Sequence, residues 1–376
     1  MDVIGTVAAF IAILVVLVLV HELGHYIVAK RSGITVEEFG IGFPPRIASV
    51  TWHGTRYSLN WIPLGGFVRM LGEDGDVEIR RLREGGLTDA EIEHAMAGAF
   101  NRRPIWIRFG VLLAGVAMNF ILAGLAFAYV VAQPEPVPLG PLHVLEIQED
   151  SPAVGVLEVG DTITAADGQT FAESRDLTGY ISRRAGEPVA LTIVRDDDLM
   201  TVTVTPRELT EEDLAEGRGA IGFSWRPEDV GEGPPLADDP IEALGLGFVT
   251  ATTAAIEIPG GLAGAVGGLL GLNPDGAGDA RGPIGIAQIT GEVIDAGLLA
   301  VVQFIGILSI NLAILNVLPF PPLDGGRIAV VLIEALRQRR LPAEREALIY
   351  LTGFAVLIAL VILISIQDIQ RLITGG

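Results

Sequence analysis

Four apolar stretches punctuate the chain, at Val3–Val20, Phe109–Ala132, Ala296–Leu323 and Ala347–Ile366. A helix needs about 20 apolar residues to cross a bilayer, so these predict four transmembrane helices. A further apolar stretch, Leu246–Leu272, is interrupted by Glu257, Pro259 and many glycines. It reads as an interfacial or re-entrant segment rather than a fifth crossing. Only Met1 and Asp2 precede the first stretch, with no small-x-small site before His21, so it does not read as a cleavable signal peptide.

The intervening segments follow other periods. In "EEFGIGFPPRIASVTWHGTRYSLNWIPLGGFVRML", β-branched and aromatic residues alternate with polar ones around "HGT", which predicts a hairpin. "NRRPIWIRF" interleaves aromatics with arginines, as suits the headgroup zone. After the proline-rich Pro134–Gly140 come short strands ("HVLEI", "PVALTIV", "MTVTVTP") and one helical stretch near Asp176–Arg184, a soluble domain of about 70 residues. Glu208–Pro240 is acidic and rich in Gly and Pro, and reads as a linker.

The fold class is therefore a multi-pass α-helical membrane protein with four transmembrane helices, a membrane-associated β-hairpin and one inserted α+β domain. Its segments run 1–35 (first helix), 36–72 (hairpin), 73–108 (interfacial), 109–133 (second helix), 138–208 (soluble domain), 209–295 (linker and interfacial), 296–325 (third helix), 326–346 (loop) and 347–376 (fourth helix and tail).

Charge adds an orientation. Gln133–Ala300 holds 29 Asp/Glu against 8 Lys/Arg, which accounts for the whole net charge of −21. Lys30–Arg108 holds 11 of the 25 basic residues and Arg327–Arg345 five more. By the positive-inside rule the two basic segments face the cytoplasm, and the acidic domain lies outside. This acidity argues against nucleic-acid binding. Cysteine is absent, so disulfides are excluded and any metal site uses nitrogen and oxygen ligands.

The first apolar stretch runs directly into His21-Glu22-Leu23-Gly24-His25. On a helix the two histidines of H-E-x-x-H share one face and can reach a single Zn²⁺, while the glutamate projects close enough to deprotonate an attacking water. Three ionisable groups at the inner end of an apolar helix are costly unless partnered, which outweighs a simple interfacial role. A catalytic zinc site needs three protein ligands, and the candidate third is Asp324 in "NVLPFPPLDGGR", about 300 residues further on. Taken alone, Asp324 would more often be a turn residue. With four crossings, though, the first and third helices are parallel and bring Asp324 to the depth of the histidines. A crossing at Leu246–Leu272 would carry it to the opposite face.

These residues resemble the site-2 protease family of intramembrane zinc metalloproteases, in the branch of the regulator of sigma-E protease. "HELGH" and the "NxxPxPxLDG" run from Asn316 to Gly325 are its two signatures. "FGIGF", "IPLGGFVRM", "FNRRPIWIR" and "GPIGIAQI" resemble its intervening blocks. The resemblance implies that His21, His25 and Asp324 bind zinc, that Glu22 is the general base, and that Asn316 contacts the substrate backbone or stabilises the oxyanion. It implies substrate contacts at Gly40 and Gly42, in a membrane-re-entrant β-loop that presents substrate as an added strand, and at Pro319 and Pro321. In "AGVAMNF", Val116 replaces a common proline, and Asn119 is given no role. "DSPAVGVLEVGDTITAADGQTF" resembles a PDZ module, with "GPLHV" as its carboxylate-binding strand edge. The expected partners are the bilayer, single-pass transmembrane substrates such as a trimmed anti-sigma factor or a signal-peptide remnant, and a peptide or C-terminus at the PDZ domain. A non-catalytic scaffold would bind no metal, and a transporter would show repeat symmetry, which the halves lack.

Overall fold

The computed structural model describes residues 3–73, 76–210, 213, 218–269, 281–339 and 341–374. It forms two compact units, Met1–Ala132 with Ala237–Gly376, and Gln133–Leu236.

In the first unit, α1 (Val3–Arg31) buries Ile13, Leu17, His21, His25 and Ala29. Their spacing of four places both histidines on the stripe that carries the core leucine. After the strands β1 (Val36–Trp52) and β2 (Thr55–Met70) come two short helices, α2 (Asp76–Glu84) and α3 (Asp89–Ala95), the latter opened by a Thr88–Glu91 capping box. The remaining helices of this unit are α4 (Ile105–Val131) before the second unit and α6 (Pro240–Leu269), α7 (Pro283–Asp295), α8 (Leu298–Val317), α9 (Asp324–Arg337) and α10 (Ala343–Thr374) after it.

Among the described residues five helices, rather than the expected four, are long and apolar enough to cross a membrane by length and composition. The addition is Pro240–Gly264, within α6. Pro259 sits inside that helix without ending it. The last residues of the predicted interfacial stretch, 270–272, lie outside the described residues.

The contacts explain how α6 coexists with an assembled Asp324. A Cβ at Gly247 would overlap the backbone of Ala128, and one at Gly124 would overlap Phe248, so α6 starts beside the end of α4 and runs back along it. Helix α8 is also antiparallel to α4, with Gly306 against Phe127 and Ser309 bonded to the Asn119 carbonyl at 2.8 Å. Both α6 and α8 are therefore parallel to α1. Helix α7, which lies between them in sequence, runs the opposite way. It packs Ile286, Ile289 and Val293 against the Ile13–Leu17–Phe304 cluster and brings Gly291 to Thr6. The N-terminus of α7 is capped from α10, where the buried Asp368 accepts hydrogen bonds from the Gly282 and Gly285 amides at 3.2 and 2.8 Å.

The two-residue turn His53–Gly54, both at positive φ, closes the β1–β2 hairpin. Each strand bends back, so Phe39, Gly40 and Ile41 pair on one side with Tyr57, Ser58 and Leu59 and on the other with Val68, Phe67 and Gly66. Its outer part exposes Phe43, Ile47, Val50, Trp52, Leu59, Trp61 and Ile62.

The second unit is a five-stranded sheet in the order β6-β5-β4-β3-β7, made of β3 (Pro134–Ile147), β4 (Thr162–Ala166), β5 (Val189–Arg195), β6 (Asp198–Val204) and β7 (Phe223–Pro235), with helix α5 (Ser174–Arg183). Its core joins Leu142, Val144, Ile163, Leu191 and Ile193 to Leu177 and Ile181 of α5. Two expectations are corrected here. The stretch Glu208–Pro240 is not all linker, because β7 pairs along β3 from Phe223↔Ile147 to Pro235↔Pro134. Its prolines and glycines are tolerated because β7 is an edge strand. "GPLHV" is not a free edge either, since β3 lies between β4 and β7. The open edge on this side is that of β7.

Candidate metal centre

The ligand atoms of His21, His25 and Asp324 lie within 4.8 Å of one another. Asp324 Oδ2 is 2.8 Å from His21 Nε2 and 3.1 Å from His25 Nε2, and the two Nε2 atoms are 3.1 Å apart. Metal–ligand bonds of about 2.0–2.1 Å in a tetrahedron put ligand atoms roughly 3.3 Å apart, close to these separations. Both histidines are only 6 % exposed. The His25 Nδ1 hydrogen is donated to the Val111 carbonyl at 2.8 Å. In the neutral ring this leaves a lone pair on Nε2, aimed at a carboxylate oxygen and at a second imidazole nitrogen. Lone pairs converging in a buried place are what a cation stabilises, so this donor set fits a zinc ion.

Local packing builds the convergence. Gly24 has no room for a side chain, because a Cβ would overlap the Ala114 carbonyl, so α1 and α4 touch backbone to backbone. Gly115 leaves the space that both imidazoles occupy: a Cβ there would overlap His25 Nε2 and lie 2.7 Å from His21 Nε2. Asp324 opens α9, where a carboxylate favours the helix N-terminus. Gly325 and Gly326 pack onto the backbone of Val317–Leu318 and Phe320–Pro321, a turn too tight for any Cβ. One turn on, Arg327 forms an ion pair with Glu73, which also accepts the Met70 amide at 3.1 Å. The helix that carries Asp324 is thereby tied to the end of β2.

The other predicted site residues are placed as follows. The half-buried Glu22 has its Cγ 3.7 Å from where a Cβ of Gly66 would be, beside the inner edge of the sheet. Gly40 is inside that sheet, paired on both sides, and Gly42 has φ +74°. Pro319 and Pro321 lie in the turn between α8 and α9. Asn316 is in the last turn of α8, with no side-chain hydrogen bond to His21, His25 or Asp324. The residues not foreseen are on α4: Val111, Gly115 and Asn119, spaced by four along one face. Asn119 is fully buried, with Nδ2 3.3 Å from His21 Nδ1. A lone asparagine inside an apolar helix was the available signal.

The profile of the family described as "Peptidase family M50" matches residues 9–360. The chain belongs to peptidase family M50. Across 97 % of its length it is 30 % identical to the zinc metalloprotease RasP of Geobacillus kaustophilus, of which 98 % is covered. A putative zinc metalloprotease of Clostridium perfringens is 33 % identical over 94 % of this chain and 95 % of its own. The regulator of sigma-W protease RasP of Bacillus subtilis is 29 % identical over 98 % of this chain and 99 % of its own. This M50 chain is thus a membrane zinc metalloprotease, as its site-2 protease resemblance implied. A PDZ domain of an SdrC-like protein from Listeria innocua is 26 % identical over 24 % of this chain and 97 % of its own, with a TM-score of 0.21.

Proposed function

We propose that this M50 protease hydrolyses a peptide bond within or near the transmembrane segment of single-pass membrane proteins. The observation that carries the proposal is the convergence of His21, His25 and Asp324, from α1 and the start of α9, inside a unit built of span-length apolar helices. These three side chains hold zinc, which when bound acts as a Lewis acid on the scissile carbonyl. Glu22, the neighbour of the first ligand, takes the proton from the attacking water. Asn316 has an uncommitted amide with which to hold the substrate backbone or the developing oxyanion.

A transmembrane helix has its peptide groups bonded internally, so cleavage requires local unwinding and new partners for the freed groups. The β1–β2 sheet is the source of those partners, and the edge through Gly66 is supported by its contact with Glu22. Gly40 and Gly42 then shape this sheet, and Pro319 and Pro321, in the turn before Asp324, contact the substrate. The exposed aromatic and aliphatic outer part suits insertion among lipids. The basic segments at Lys30–Arg108 and Arg327–Arg345 support a cytoplasmic side for the site, and the acidic second unit an exterior one for the inserted domain. That domain is a PDZ module taking a peptide or C-terminus along the open edge of β7. The relative named regulator of sigma-W protease favours a membrane-bound anti-sigma factor, already trimmed by another protease, as substrate; a signal-peptide remnant has the same single-span form.

Glu22→Gln provides the test. In purified protein with a model single-span substrate it should keep stoichiometric zinc and lose cleavage by at least about a hundredfold, the scale of general-base catalysis. Near-normal turnover would remove Glu22 from the mechanism.

A further inference from the structure

Helix α4 contributes no metal ligand, yet it meets the outer ring nitrogen of both histidines. His25 Nδ1 is 2.8 Å from the Val111 carbonyl. Two turns later on the same face, the Asn119 amide lies 3.3 Å from His21 Nδ1, with Gly115 between them clearing space for the rings. Asn119 is fully buried and its Oδ1 has no hydrogen-bond partner. A buried amide with an orphaned oxygen costs about 1–3 kcal/mol, a cost that an apolar helix avoids at no loss by carrying leucine instead. The backbone of the same residue is held by Ser309 Oγ at 2.8 Å, so the side chain departs from a fixed point.

In the orientation seen, Asn119 Nδ2 faces His21 Nδ1, which must then accept. The ring hydrogen is consequently on Nε2, donated to Asp324 Oδ2 at 2.8 Å. A metal-binding Nε2 carries no hydrogen. The neutral ring must hold it on Nδ1, which then needs an acceptor. A half-turn of the amide about its last bond exchanges nitrogen for oxygen and supplies that acceptor in place.

We infer that Asn119 is a positioning residue whose amide oxygen accepts the Nδ1 hydrogen of His21, fixing the tautomer and tilt of the ring for metal binding. The inference rests on His21 being a ligand. Together, Val111 and Asn119 make α4 the frame that orients both imidazoles.

The test measures zinc affinity by chelator competition on the purified full chain in detergent, for wild type, His21→Ala, Asn119→Leu and Asn119→Asp. Aspartate accepts hydrogen bonds but cannot donate them; leucine keeps the bulk and does neither. Asn119→Leu should bind zinc 10- to 100-fold more weakly, as loss of an outer partner of a ligating histidine does, with Asn119→Asp within a few-fold of wild type. Rescue by the pure acceptor is a result that a packing role would not give. Leucine binding within twofold of wild type, or equal weakening by both substitutions, overturns the inference. His21→Ala separates the two levels: retained zinc would remove His21 as a ligand and the inference with it. If Asn119→Leu does not fold, ¹⁵N spectra of histidine-labelled, zinc-loaded wild type decide. A hydrogen-bonded Nδ1–H on His21 supports the inference, and a hydrogen on Nε2 overturns it.

Discussion

At the scale of single residues, the site depends as much on missing side chains as on present ones. Gly115→Ala adds one methyl, at a point where a Cβ overlaps His25 Nε2 and crowds His21. The His25 ring cannot retreat far, because the Val111 carbonyl holds it. The substitution should lower zinc occupancy at least tenfold while leaving the helical content intact, measured by metal analysis beside circular dichroism. The convergence of His21, His25 and Asp324 was legible in the sequence because their chemistry shows in residue type and spacing. The sequence did not disclose Gly115 or Asn119, whose importance arises from what lies across the helix interface, and no pattern along one strand of text reports that. Glu73 escaped for the same reason, since its partner Arg327 is 254 positions away.

At the scale of elements, α7 is the piece whose placement reconciles a span-length α6 with parallel α1 and α8. Its N-terminus is buried and depends on Asp368 of α10. Asp368→Ala leaves the Gly282 and Gly285 amides without their acceptor and should destabilise the fold by about 1–3 kcal/mol, read as a lowered unfolding midpoint in detergent. Asp368→Glu, a methylene longer, should recover part of the loss. Four of the apolar helices were legible because each is an apolar run of about the length that crosses a bilayer. Helix α6 was not, because glycine and proline are helix breakers in water but are tolerated in membrane helices. Strand β7 was hidden by its Gly, Pro and acidic residues, which an edge strand accepts.

At the scale of the whole chain, the two units meet different demands. The Ala237 amide bonds the Val131 carbonyl at 3.2 Å, so the helical unit closes on itself where the second unit departs and returns. Replacing 133–236 by a short Gly/Ser linker should leave zinc stoichiometry unchanged, by metal analysis of the purified protein, and alter which substrates are cut. In the second unit, burial alone would raise the carboxyl of Asp161, but hydrogen bonds from Arg195 and the Glu158 amide outweigh it and hold it below the ordinary range. A folded carboxyl that titrates below its unfolded value of about 3.9 gives full stabilisation above that pH and loses it as pH falls through the folded value. The acid limb of this unit's unfolding curve should therefore steepen below about pH 4, and Asp161→Asn should flatten it.

The bare backbone at Gly115 also sets a direction. With two imidazoles pressed against α4, that helix walls off one side of the three donor atoms, and nothing the size of a peptide can arrive through it. A scissile carbonyl has to come in from the other flank, so one face of the peptide plane is presented to attack and the opposite face is not. Cleavage would then be stereochemically one-sided before any contact with the rest of the substrate selects its sequence.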